Sequence, residues 1–240
     1  MIGWLSLEAR RGWRIREEEV RLEGLRIWKV TVPLPEGLGP RGERRRLDRA
    51  ARALRAAGCR RVVTEPHVSV WPVLEAAGLR RVDPGPLCRA LADPLACAFL
   101  EVRGVPRQSA AVALLAERVD RSYFEAACTL CPQVRHLAIQ AGQEGEALSH
   151  WLEREYGVPA LAHGKGAHVK LRFSPLSGPP GPDELVLCGP VPELGPLILC
   201  SPQPLPPELD PLPLLALLWE EGRAALQDIE IIPKSFEQMT

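Results

Sequence analysis

The stretch His163-Gly164-Lys165-Gly166-Ala167-His168 gathers one ammonium group and two imidazoles around two glycines. Lysine can neutralise an anion, and histidine can serve as acid, base or metal ligand near neutral pH. The spacing fits no metal or phosphate motif, so a polar loop is the stronger reading. Four further residues could join such a site. Glu65 and His67 follow an apolar run at 61–64, and Asp120 with Arg121 follow another at 110–115. At the carboxyl edge of an open α/β sheet, Glu65, His67, Asp120, Arg121, His163 and Lys165 are the candidate ligand-binding set.

A dinucleotide site needs glycines between strand and helix, so that the backbone can approach a pyrophosphate. The turn Glu117-Arg118-Val119-Asp120-Arg121-Ser122 has none, and neither has Glu65-Pro66-His67-Val68-Ser69. No nucleotide cofactor is expected. Arg118 and Arg121 would hold an anion by charge alone. Glu144, within Gly142-Gln143-Glu144-Gly145, stands near the place of a ribose-binding acid. The simpler reading is an acid in the first turn of a helix.

Cys128-Thr129-Leu130-Cys131 matches C-x-x-C. Redox or metal work needs exposed thiols or two more ligands. The pair shares a helical face with Phe124 and Ala127, so a core role is expected and no metal is assigned. No G-x-S-x-G elbow supports a serine nucleophile. Arg41, Arg44, Arg45, Arg46, Arg49, Arg52 and Arg55 crowd residues 41–55. A basic stripe attracts phosphates, which makes Arg45, Arg49 and Arg52 the candidate nucleic-acid contacts. No aromatic stacking residues accompany it, and a solvated face is favoured.

The elements that would position these groups can be read from periodicity. Residues 19–32 read as strand, ending in Ile27-Trp28-Lys29-Val30-Thr31-Val32. Leu47, Ala50, Ala51 and Leu54 mark a helix closed by Gly58. Residues 61–64 form a strand, and Ser69 is expected to cap a helix ending at Gly78. Leu87, Leu91, Leu95 and Phe99 mark a helical region that Asp93-Pro94 either kinks or separates into two helices. Strands are expected at 110–115, 134–139 and 158–162. Helices between them carry Phe124, Ala127, Cys128 and Cys131, then Ala147, Leu148, Trp151, Leu152 and Tyr156, closed by Gly157. Alternation at 169–173 and short runs at 185–188 and 197–200 suggest antiparallel additions at a sheet edge or a small flap. Asp210 and Pro211 start an apolar helix that must be buried, in the core or in a subunit contact. Residues 229–232 form a last strand.

The fold class that follows is α/β. It has two Rossmann-like βαβ halves with a mainly parallel sheet, antiparallel strands, and a buried helix near the C-terminus. Residues 1–107 carry 21 basic against 13 acidic residues, a net of +8, and residues 108–240 carry 9 against 17, a net of −8. Domains at 1–105 (basic) and 106–240 (acidic) are therefore expected. The seven cysteines show no disulfide framework, and no apolar run approaches the roughly 20 residues of a membrane span. A cytoplasmic location without membrane attachment is expected.

No coherent catalytic set emerges. The leading expectation is a non-catalytic binding or scaffold protein, with a protein partner or a small anion as ligand. An oxidoreductase or transferase working on an anion at the carboxyl edge is one alternative. Nucleic-acid binding through 41–55 is the other. The apolar helix at 211–222 offers a surface for self-association.

Overall fold

Ile2-Gly3-Trp4-Leu5 is buried on both faces, as only the middle of a sheet allows. The computed structural model describes residues 1–66, 68–157, 164, 166–201 and 203–234. In chain order they begin with β1 (Ile2–Glu8), β2 (Arg16–Leu22), β3 (Leu25–Pro33), α1 (Pro40–Ala56), β4 (Arg61–Thr64), α2 (Trp71–Ala76) and β5 (Arg80–Arg81). Next come α3 (Gly85–Ala90), α4 (Ala92–Val102), β6 (Ala111–Leu115), α5 (Arg121–Leu130), β7 (His136–Gln140) and α6 (Gly142–Tyr156). The chain continues through β8 (Val169–Arg172), β9 (Glu184–Val186), β10 (Leu197–Cys200), α7 (Pro211–Glu220) and β11 (Glu230–Pro233). The fold is mixed α/β.

Two units share the chain. One holds Met1–Val82 and Gln203–Ala225, and the other holds Asp83–Pro202 and the residues from Leu226 onward. The partition expected at 105 is a different one, because Gly104-Val105-Pro106 lies inside the second unit.

In the first unit the strands run β2-β3-β1-β4-β5. All are parallel except the edge strand β2, which forms a hairpin with β3. Glu23 (φ 47°) and Gly24 (φ 79°) make its two-residue turn, whose twist demands positive φ at both positions. On one face, α1 buries Leu47, Ala50, Ala51 and Leu54 against Leu5, Val30 and Val32. Gly3 lets that helix close in, because a Cβ there would sit 2.8 Å from Leu54 Cδ2. On the other face, Ile2, Trp4, Ile27 and Val63 pack on Leu214, Leu217 and Leu218 of α7. The apolar helix is thus a core element of this unit. Its N-cap is Asp210, whose Oδ1 accepts from the Leu212 amide at 3.3 Å. Ser69 does not cap α2. Val70 takes that place without a side-chain cap, and Pro72 stands in the first turn.

In the second unit the order is β7-β6-β8-β9, all parallel. The expected antiparallel edge at 169–173 and 185–188 is corrected here: β8 is an inner strand and β9 continues the parallel set. Alternation misled because Arg172 is buried, its guanidinium 3.7 Å from Glu184 of β9. In this unit β10 pairs antiparallel with β11. On α5, the buried face is Tyr123, Ala126, Ala127 and Leu130. Phe124 lies outside it, exposed beside Trp151 with ring centroids 5.3 Å apart. The strand expected at 158–162 lies outside the described residues.

Candidate functional site

In both sheets the first parallel strand lies between the second and third, in the orders β3-β1-β4-β5 and β7-β6-β8-β9. Connections therefore leave that strand in opposite directions. Open α/β sheets bind ligands in the crevice this creates outside the carboxyl ends. Each unit spans that crevice with a side chain. In the first, Glu65 follows β4 and its Oε1 accepts from the Leu7 amide at 3.0 Å and from Ser6 Oγ at 3.2 Å. The carboxylate thereby extends the pairing of β1 with β4 past the last backbone partners. In the second, Ser174 follows β8 and its Oγ accepts from the Glu117 amide at 2.8 Å.

The loop after β6 is held at further points. Glu144, in the first turn of α6, accepts from the Val119 amide at 2.8 Å. Asp120 is the N-cap of α5 and accepts from the Tyr123 amide at 2.8 Å and from Ser122 Oγ at 2.7 Å. An unattached phosphate-binding turn would aim these amides at its ligand. Here carboxylates and a hydroxyl already take three of them. Arg121 is exposed and pairs with Glu125 one turn along the helix, at 2.7 Å. His67, His163 and Lys165 lie outside the described residues. Glu65 belongs to the first unit, and Asp120 with Arg121 to the second.

The arginines of α1 face solvent except for half-buried Arg46, and several bond to backbone carbonyls. Arg49 reaches Trp13 O at 3.2 Å, Arg52 reaches Asp48 O at 3.2 Å, Arg55 reaches Gly78 O at 3.3 Å, and Arg46 reaches Pro33 O. Arg45 is exposed on the same helix. No aromatic side chain lies between these arginines on α1.

Cys131 is buried and Cys128 half-buried. Burial pushes both thiols up, which disfavours the reactive thiolate. Among the described residues, no three His, Cys, Asp or Glu side chains gather as metal ligands do. No helix among them is long and apolar enough to cross a membrane.

A concave feature of the second unit lies at the opposite edge. A cleft of about 300 Å³ opens at the amino ends of β6, β7 and β8, lined by Arg135, His136, His168, Ser109, Ala111 and Ala138 among others. His168 is locked there. Its amide donates to Ala111 O at 2.8 Å, and its Nδ1 accepts from the Ala111 amide at 2.9 Å. The sequence placed His168 in a polar loop and passed over Arg135 and His136. Their signal was position, since each stands at the threshold of a strand. The chain matches no protein-family model and no curated protein.

Proposed function

We propose that this chain is a non-catalytic binding protein of the cytoplasm, built on a Rossmann-like scaffold whose usual ligand crevices are given up to structure. The observation that carries the reading is the paired bridging of both crevices. Glu65 ties β4 to β1, and Ser174 ties the end of β8 to the loop after β6. A side chain that satisfies a strand-end amide removes the donor that would otherwise meet a substrate oxyanion. The same accounting weakens the enzyme alternative at the carboxyl edge, since Asp120 and Glu144 are occupied as well. The nucleic-acid alternative gains little support, because α1 carries no aromatic side chain on which a base could stack.

The test is a turnover screen of the full chain in nicotinamide-linked, ATP-linked and group-transfer assays, with Glu65→Gln and Ser174→Ala run alongside. No turnover above background is expected from any of the three proteins. The variants should lose stability only, by roughly 1 kcal/mol each. Turnover in the parent that Ser174→Ala or Glu65→Gln abolishes would overturn the reading.

A further inference from the structure

The cleft at the amino edge of the second sheet is built from one row of the sheet. Ala111 of β6 pairs with His136 of β7, and on its other side it exchanges both hydrogen bonds with His168, at the start of β8. Parallel neighbours lie about 4.8 Å apart, so the two histidine Cα atoms stand about 10 Å apart with an alanine between them. Residues in one row point to the same face. Two positions further along, Ala113 pairs with Ala138 on that face. Ala111 and Ala138 therefore line the cleft together with His136 and His168. Ala113 lies beneath, fully buried, with Gly164 upon it, where a Cβ would sit 2.7 Å from Ala113 Cβ.

The donors in the cleft are defined by what is already bonded. His168 Nδ1 accepts from an amide, so its proton resides on Nε2, on the side of the ring away from β6. Ser109 Oγ gives its proton to Pro106 O at 3.0 Å and is spent as a donor. Arg135 brings a guanidinium and His136 a second imidazole. Among the described residues, none of the lining side chains is acidic. A cleft whose one full charge is a guanidinium concentrates anions there.

We propose that this cleft binds the oxyanion head of a small phosphomonoester. Its cationic and N–H groups come from the starts of β7 and β8, and a phosphate dianion brings more charge to a guanidinium and imidazole N–H groups than a carboxylate does. Its volume, near the lower end of ligand pockets, limits the ligand to a few carbons beyond the phosphate. The proposal rests on the binding-protein reading above and supplies its ligand class.

The experiment is a titration of the full chain with inorganic phosphate, glycerol phosphate and acetate, followed by imidazole ¹⁵N resonances and calorimetry. Both phosphates should move the His136 and His168 signals saturably, with glycerol phosphate the tighter of the two. Acetate should bind at least about tenfold more weakly. Arg135→Gln and His136→Gln should each weaken glycerol phosphate about tenfold, the loss of one charge-assisted hydrogen bond. In the parent, His168 should show an unprotonated Nδ1 and a protonated Nε2 before any ligand is added. The opposite tautomer, unmoved imidazole signals, acetate binding as tight as phosphate, or binding indifferent to both variants would each overturn the proposal. The two readings fail separately. Turnover at the carboxyl edge would leave this titration intact, and a failed titration would leave both crevice bridges in place.

Discussion

Tyr123 is fully buried, yet its hydroxyl donates to Leu114 O at 2.9 Å and accepts from the Gln140 amide at 3.1 Å. One oxygen thus fastens α5 to the ends of β6 and β7. Burial raises the phenol far above its ordinary range, so it holds this pattern at any physiological pH. Tyr123→Phe would remove both hydrogen bonds of this buried hydroxyl, at a cost of about 1–3 kcal/mol. A chemical-denaturation midpoint that does not move would refute this role. Cys88 shows the same burial acting on a thiol. Desolvation, with Asp83 adding to it, pushes Cys88 up to about 12 from an ordinary value near 9. A raised folded value means the folded state keeps its proton longer than the unfolded state. The associated stability is complete below pH 9 and is lost as pH rises towards 12. Urea midpoints should therefore fall between those limits, by at most about 1.4 kcal/mol per pH unit for this thiol. Cys88→Ala should flatten that slope, and an unchanged slope would exclude the thiol as its source.

At the scale of elements, α7 is the clearest case of sequence dictating placement. A helix apolar nearly all round has no solvent face to offer, and Leu214, Leu217 and Leu218 cover one side of the first sheet. Leu217→Ala should cost about 2–5 kcal/mol. Asp210→Ala should cost about 1 kcal/mol through the lost cap. Thermal denaturation should rank the two in that order. Asp210-Pro211 was legible because capping chemistry is local. Leu47, Ala50, Ala51 and Leu54 were legible because a helix repeats over several turns. The strand β1 was not, since a short run buried on both faces has no alternation to read. Alternation misassigned β8, because the Arg172 charge is compensated inside by a glutamate on another strand. Phe124 misled in the same manner: its spacing fitted a helical face, while Tyr123, one residue earlier, holds the buried one. The carboxyl-edge bridges were the least legible of all. Glu65 and Ser174 meet partners 58 and 57 residues away, and nothing local announces them.

On the scale of the whole molecule, the last third of the chain serves both units. Gln203–Ala225 completes the first, and β11 beyond it pairs with β10 in the second. The first sheet therefore lacks cover on one face until synthesis has passed residue 220, where α7 ends. A chain ending at residue 202 tests this dependence. It would uncover Ile2, Trp4, Ile27 and Val63, which pack on α7. Each large apolar side chain so exposed forfeits about 1.5–3 kcal/mol, against a total stability of about 5–15 kcal/mol. Of its described strands the second unit loses β11 and keeps β6, β7, β8 and β9. Hydrogen exchange should therefore show protection collapsing in β1, β3 and β4 while β6, β7 and β8 remain protected, together with new binding of a hydrophobic dye. Adding residues 203–225 as a peptide should restore protection to β1 and quench the dye signal. If β1 stayed as protected in the shortened chain as in the full one, α7 would be a decoration on the first sheet and not half of its core.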